Sequence, residues 1–382
     1  MAERPATVVL VHNRYLERGG EDVVFEAEAD LLEGRGHRVL RFEADNRDVA
    51  ALGPLRLAAR TVWSRGSYRA LRALVERERA DVVHIHNTLP LLSPAAHHAA
   101  ADAGAAVVQT LHNFRLLCPQ GQFLRNGQPC EACLGKAVPW PGALYGCYRG
   151  SRPASAAVAG MLTTHRALGT WDRVGAFIAL SAFSRGKFIE GGLPAGRIHV
   201  RGNFLPGDPG VGTHAGDFLL YVGRLSREKG GETLLEGWRR VVEGGGAGRL
   251  VMVGDGPLAE RVSAAAAELP GLEWLGAVPP ERVRQLMGDA RALVLPSITY
   301  ENSPRVVAEA YARGLPVLGS RHGSVAELVR EGETGALFTP GDAADLAVAL
   351  RWALSPEAEL APLGRGARAA YEAEYTAERG YE

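Results

Sequence analysis

Residues 297–321 read SITYENSPRVVAEAYARGLPVLGSR. Ser303 is a residue type that caps helix N-termini. Pro304 suits a first helical position, where the N–H it lacks would go unpaired anyway. The spacing that follows predicts a helix carrying Glu309, closed by Gly314 in the left-handed conformation, and LPVL then reads as a buried strand. Because ALVLPS directly precedes the stretch, the order is strand, helix, strand, which is the unit of a parallel sheet with right-handed crossovers. A helix start also leaves N–H groups unpaired and so favours an anion. Yet Glu301 lies just before this helix and Glu309 on it, eight positions apart, so the carboxylates must meet something other than the anion.

The same alternation extends in both directions. Upstream lie FLLYVG, a helix around Glu232–Glu243, RLVMVG, a helix from Leu258, LEWLG and a helix from Pro280, and downstream lies GALFT. An earlier series runs TVVLVH, a helix over Glu21–Arg35, RVLRF, DVVHIH, AAVVQTL, AFIAL and RIHVRGN. The Gly/Pro-rich FLPGDPGVGTHAGD at 204–217 separates the two. A chain of 382 residues exceeds one ordinary core. The expectation is therefore an α/β protein of two doubly wound, Rossmann-like domains with parallel sheets, residues 1–205 and 206–382. The final helix is expected to pack back on the first.

Apolar content of 46% and charged content of 23% fit a globular chain. The longest small-apolar run, near Ala154–Leu162, is too short to cross a bilayer, and MAERPATVVLVHN lacks the pattern of a signal peptide. A cytoplasmic protein is expected. The net charge of zero hides an asymmetry: residues 1–205 hold 25 Lys+Arg against 18 Asp+Glu, and residues 206–382 hold the reverse. Either the first half meets an anionic partner or surface charge has drifted. Three of the 43 basic residues are lysine, which draws attention to Lys229.

Ligands of doubly wound sheets bind beyond the C-terminal strand ends. One loop there is RYLERGGED, in which Gly19 and Gly20 would let backbone approach a phosphate or simply make a turn. Another is YVGRLSREKG, where Arg224 follows Gly223 and Lys229 comes five residues later. A guanidinium fork and a compact ammonium suit a diphosphate, although both could be solvated. A third is VGDGPL, a turn permitting close backbone approach. Ionised carboxylates only accept hydrogen bonds, so their natural partners are neutral vicinal hydroxyls. Hydroxyls on either side of a diphosphate describe a nucleotide-sugar, with Glu309 taking the ribose and Glu301 the sugar.

The segments GGED (19–22), VGRLSREKG (222–230), VGDGP (253–257), LGAV (275–278) and YENSPRVVAEAYARGLPVL (300–318), with G-x-x-x-E at Gly323–Glu327, resemble the retaining GT-B glycosyltransferases of family 4, the glycosyl transferases group 1. That resemblance implies two facing Rossmann-like domains, the first on the acceptor side and the second binding the donor. It implies that Arg224 and Lys229 hold the donor diphosphate, Glu309 the ribose, and Glu301 with the backbone of Asn302, Ser303 and Pro304 the donor sugar. Gly276–Val278 would lie near the base, and Gly20 would approach the phosphates. The donor would be a UDP- or GDP-sugar. Where the family often has Gly-Phe-Gly after the first glutamate, this chain has Asn302-Ser303-Pro304, which leaves the donor sugar open. His112, in LHNFR, would stand beside the reacting sugar, or else bond to loop backbone. His84 and His86 flank the same region by topology, while His97 and His98 read as helix surface. Retaining members are thought to use front-face attack, the leaving diphosphate helping to take the acceptor proton. Arg224, Lys229 and the helix end would then do the work of a divalent ion, and no Asp-x-Asp occurs. No catalytic metal is expected.

All four cysteines, Cys118, Cys130, Cys133 and Cys147, fall in one Gly/Pro-rich excursion within residues 112–150. A Cys-x2-Cys pair with two outlying cysteines suits a four-thiolate structural zinc, and the alternatives are reduced thiols or disulfide and redox chemistry. Residues 52–79, LGPLRLAARTVWSRGSYRALRALVERER, carry seven arginines among apolar residues at helical spacing. They read either as a face for an anionic membrane surface, with a lipid-linked or other saccharide acceptor, or as helices packed on the sheet. Two other function classes compete: a nucleotide-sugar epimerase on the same fold, and a non-catalytic nucleotide-sugar binder. Zero net charge and few aromatics near the cysteines argue against a nucleic-acid partner.

Overall fold

The computed structural model describes residues 4–382. The chain divides into two compact units: residues up to Phe123 with Cys130–Gly202 and Tyr381 form the first, and Asn203–Gly380 with Leu124–Pro129 and Glu382 form the second.

In the first unit, β1 (Thr7–Arg14), β2 (Arg38–Asp45), β3 (Val82–Ile85) and β4 (Ala106–Leu111) join two later strands in a six-stranded sheet. Between β4 and those strands in the chain comes a small antiparallel hairpin, β5 (Leu124–Arg125) and β6 (Gln128–Pro129), which is grouped with the second unit. The sheet is completed by β7 (Ala176–Ala179) and β8 (Ile198–Val200), in the order β2-β1-β3-β4-β7-β8. Every pairing in it is parallel, with Val9 opposite both Leu40 and Val83. Val9, Leu10, Val11, Val83 and Ile85 are fully buried, as expected of strands covered on both faces.

The second unit carries β9 (Phe218–Val222), β10 (Arg249–Val253), β11 (Leu272–Trp274), β12 (Ala292–Leu295), β13 (Val317–Ser320) and β14 (Gly335–Phe338), all parallel, in the order β11-β10-β9-β12-β13-β14. One apolar cluster around Leu220, Leu293, Val317 and Tyr311 fills one side, and another around Leu219, Val294, Leu318 and Trp238 fills the other. The sequence-predicted strands all form. This order fixes where a ligand can sit. Strand succession reverses between β9 and β12, and in the first sheet between β1 and β3, so the loops leaving those strands diverge and open a crevice.

Two sequence expectations are corrected by packing. The helix after β12 starts at Arg305, with Pro304 itself in the capping position at φ −67° and ψ 112°, so the Ser303 hydroxyl does not cap it. The Ser303 carbonyl instead accepts from Asn203 Nδ2 at 2.8 Å. Gly314 does close the helix, at φ +69°. His97 and His98 are not surface residues, because their helix, Ala95–Asp102, is alanine-rich and packed closely on several sides. His97 bonds to the Pro94 carbonyl and to Gln109 Oε1, and His98 to Thr170 Oγ1, so both imidazoles serve as hydrogen-bonded core groups.

Candidate active site

The second unit assembles a candidate site from loops at the β9–β12 reversal. The loop after β9 carries Gly223, exposed Arg224 and Lys229, and the loop after β12 carries Glu301 to Pro304. They are brought together at Gly230, where φ is +76° and an added Cβ would lie 1.8 Å from the Pro296 carbonyl oxygen, so only glycine lets the backbones close. The Ile298 N–H then donates to the Glu228 carbonyl at 3.0 Å. A similar approach occurs at Gly254, φ +132°, whose Cβ would fall 1.9 Å from Gly223 O. Backbone bonds Gly223–Val253, Leu225–Asp255 and Gly254–Gly276 then lace the loops after β9, β10 and β11 into one rim. Gly276, at φ +67°, has open space where a side chain would be, and Val278 packs against the core beneath.

The result of the Gly230 approach is an ion pair. Lys229 Nζ donates to Glu301 Oε1 at 2.7 Å and Oε2 at 2.9 Å, and Ser297 Oγ donates to Oε1 at 2.7 Å. Ser324 Oγ bonds to the Glu301 carbonyl at 2.7 Å, and His322 to the Ser297 carbonyl. Burial pushes the Glu301 carboxyl upward, but the Lys229 charge and its hydrogen bonds, with Ser297 and His322, bring it below the ordinary carboxylate value. Glu309, one turn into its helix, pairs with Arg305 at 3.2 Å and remains one-third exposed. Sequence reasoning had not singled out Ser297, His322 or Ser324. Ser324 falls inside the G-x-x-x-E segment and was within reach of the motif, whereas Ser297 and His322 carry no local signal.

The first unit carries its own cluster of polar groups at the β1–β3 reversal. Gly19 caps α1 (Gly20–Gly34), and its N–H donates to Asp22 Oδ2 at 2.7 Å. The other Asp22 oxygen bonds to His12 Nε2 at 2.9 Å, so one buried carboxylate ties the glycine loop to the end of β1. Gly20 is exposed and has nothing within 4 Å of a would-be Cβ. Glu21 accepts from Asn113 Nδ2 at 2.8 Å, joining α1 to the loop after β4 that holds His112. His112 Nε2 lies 2.9 Å from His86 Nδ1. Burial lowers the His112 imidazole to about 4 and lowers His86 well below its ordinary value, so both are neutral near pH 7.

None of the four cysteines is in a disulfide; Cys118 and Cys133 are buried, and Cys130 and Cys147 half-buried. Burial pushes the Cys133 thiol up to about 11, with Cys118, Cys147 and Cys130 adding to the effect. Among the described residues, the one trio of His, Cys, Asp or Glu whose ligand atoms all lie within 4.8 Å is elsewhere: Glu28, His84 and His86.

Two family models match the chain in succession, Glycosyltransferase Family 4 over residues 18–206 and Glycosyl transferases group 1 over residues 216–355. The chain belongs to the family 4 glycosyltransferases. Among curated relatives, the amylovoran biosynthesis glycosyltransferase AmsK of Erwinia amylovora is 30% identical over 217 residues, 53% of each protein. The sulfoquinovosyl transferase SQD2 of Arabidopsis thaliana is 31% identical over 153 residues, 39% of this chain and 29% of that protein. The chain thus spans about half the length of the first and less of the second. Among solved structures, sucrose-phosphate synthase from Thermosynechococcus elongatus superposes with a TM-score of 0.71 at 18% identity, covering 98% of this chain and 96% of that one. Anabaena HepE in complex with UDP superposes with a TM-score of 0.66 at 18% identity, covering 97% and 96%. The fold is GT-B. The epimerase and non-catalytic readings draw no support from these relatives.

The ion pair makes a stability prediction. Lys229→Met strands a buried carboxylate and, because Lys229 itself is one-third exposed, is expected to lower the unfolding free energy by about 1–3 kcal/mol at pH 7. Glu301→Gln alone should cost less, and the double variant less than the sum. Since Glu301 titrates lower when folded, the pair stabilises above the unfolded carboxylate value of about 4.3 and fades as pH falls through the folded one. Urea denaturation at pH 7 and pH 3 checks this: equal midpoints for Lys229→Met and wild type at pH 7 would remove the pair from the stability account.

Proposed function

We propose that this protein is a glycosyltransferase that moves a hexosyl group from a nucleotide-diphosphate sugar to a saccharide, lipid-linked or small-molecule acceptor, with retention of configuration and without a catalytic metal. The observation that carries the reading is the Lys229–Glu301 pair at the β9–β12 reversal, with Arg224 on the same loop as Lys229. A diphosphate arriving there offers Lys229 a doubly charged partner in place of one carboxylate. Lys229 shifts to the phosphates, and Glu301 is released to accept from sugar hydroxyls. An ammonium can make this exchange more readily than a guanidinium, whose planar fork would hold the carboxylate in two parallel bonds. Arg224, exposed beside Gly223, adds a second cation, and the start of the Arg305–Ala312 helix adds oriented N–H groups. Charge building on the leaving diphosphate is then stabilised without a divalent ion.

Glu309 accepts from the ribose hydroxyls, Gly276 and Val278 lie along the rim assigned to the base, and Asn302, Ser303 and Pro304 supply backbone toward the sugar. The first unit contributes the Gly19–Gly20 loop and His112. HepE, whose structure contains UDP, favours a uridine donor over a guanosine one. Retention rests on the family resemblance, and the metal-free reading on the lack of an Asp-x-Asp.

We also propose a structural zinc held by Cys118, Cys130, Cys133 and Cys147. The support is that all the cysteines of the chain lie in one segment and that the other three act on the Cys133 thiol. Binding would require the sulfurs to draw closer together than they now lie, and the cation would reverse the raised thiol value by stabilising thiolates.

A lipid-linked or anionic acceptor is supported by α2 (Pro54–Val62) and α3 (Arg65–Glu78). Leu71 and Val75 of α3 are buried, so much of its apolar face is already used, but Leu55 is 87% exposed beside Arg56, and Arg65, Arg69 and Arg72 are exposed on α3. Among the described residues no helix is long and apolar enough to cross a membrane. The membrane association we propose is peripheral, at the cytoplasmic face.

Arg224→Ala and Lys229→Ala are each expected to cost about 2–4 kcal/mol of transition-state stabilisation, roughly two to three decades in kcat/KM. Glu309→Gln should chiefly weaken nucleotide binding, read as a smaller thermal shift with UDP, since the ribose is held in ground and transition states alike. Near-normal turnover in both cation variants would refute the diphosphate assignment. For the cysteines, elemental analysis of protein purified without chelator should find about one zinc per chain, lost in Cys130→Ser together with stability; absence of zinc refutes the site. In flotation assays, binding should require anionic vesicles and fade as salt rises. Protein that stays with the soluble fraction at low salt rules the surface out.

A further inference from the structure

Glu28 is a carboxylate inside the first unit, on the buried face of α1 between Ala27 and Ala29. Its two oxygens accept from Arg201 Nη2, each at 3.0 Å. His84 Nδ1 lies 3.2 Å from Oε1, and His86 Nε2 lies 3.8 Å from Oε2. His84 Nε2 is taken by Thr110 Oγ1 at 2.8 Å, but His86 Nε2 is buried without a hydrogen-bond partner and faces the carboxylate. The other nitrogen of His86 meets His112 Nε2 at 2.9 Å, with the two rings stacked 5.1 Å apart. Glu28, His86 and His112 therefore form a continuous line from the interior to the residue assigned to the reacting sugar.

Two tautomer patterns satisfy the His86–His112 bond. In one, His86 donates from Nδ1 and turns a bare Nε2 lone pair toward the Glu28 carboxylate. In the other, His86 carries its proton on Nε2, directed at Glu28, and its Nδ1 accepts from His112 Nε2–H. In a buried setting the first arrangement opposes a lone pair to a negative charge, and the second opposes a proton to it. The carboxylate is ionised, because His84 and Arg201 outweigh the burial that works against its charge. At 3.8 Å the Glu28–His86 attraction is electrostatic rather than a direct hydrogen bond.

We propose that Glu28 and His86 act as positioning residues that fix His112 in the Nε2–H tautomer, so that its Nδ1 presents an unprotonated lone pair to the reaction. That lone pair is an acceptor for a sugar hydroxyl proton and cannot donate. The inference rests on the proposed role of His112. A metal at Glu28, His84 and His86 is disfavoured, because the Arg201 guanidinium already occupies the carboxylate and would lie against the cation.

The test is the nitrogen-15 spectrum of histidine-labelled protein at pH 7 without substrate, with the His112 signals assigned by their loss in His112→Asn. The expected result is a protonated Nε2 and an unprotonated Nδ1 at His112. A protonated Nδ1 in the wild type overturns the proposal and needs no variant to fold. In Glu28→Gln, and in His86→Asn, whose amide can donate or accept, the tautomer preference should relax. The rate kcat should then fall by about tenfold or more while the donor KM changes by less than about twofold. A preference unchanged in both variants overturns the proposal, as does zinc titrated into the wild type binding tightly in a Glu28-dependent way. His112→Asn with undiminished transfer would instead refute the role of His112 and leave the tautomer result standing.

Discussion

Lys229 and Glu301 meet because β9 and β12, far apart in the chain, are neighbours in the sheet and the loops that follow them come into backbone contact at Gly230. Without a counter-charge a buried carboxylate costs several kcal/mol, and an ammonium held nearby offsets that cost only when the geometry is good. Gly230 supplies the geometry by letting one loop backbone touch the other. Ser297 and Ser324 then saturate the glutamate and its carbonyl. The loop after β9 is thus held in shape by an ion pair to the loop after β12.

The two units solve the same problem differently. In the second, a cation and a carboxylate neutralise each other at the rim, partly open to solvent. In the first, carboxylates are withdrawn beneath the loops: Asp22 pins the Gly19 turn to His12, Glu21 holds Asn113, and Glu28 lies deeper still under His84 and His86. The rim pair is partly open to solvent, while Asp22 and Glu28 are buried and already bonded, which suits rigidity.

Much of this was legible in the sequence, and what was not has identifiable causes. The strands read correctly because parallel strands buried on both faces leave continuous apolar runs such as ALVL and FLLYV. Arg224, Lys229, Glu301 and Glu309 stood out through the chemistry of a diphosphate flanked by hydroxyls. That Lys229 and Glu301 would bond to each other was hidden, because it follows from strand order, which no local pattern encodes. Ser303 was misjudged as the cap because serine and proline were both eligible and proline took the position. His97 and His98 were misjudged because AAHHAAAD has no polar face against which to recognise a buried one. Glu28 gave no signal at all, since an acidic residue on a helix ordinarily reads as solvated, and only the convergence of β1, β3 and α1 encloses it.

Lysine is rare in this chain, and from residue 206 onward Lys229 is its single representative. The second unit therefore carries one primary amine, one-third exposed and clasped by a carboxylate. Arginines outnumber it heavily but are inert to mild acylation, so an amine-selective reagent acting on this half of the molecule has a unique target. The extent of its modification then reads as a tally of vacant clefts, with every other cation in the unit chemically silent.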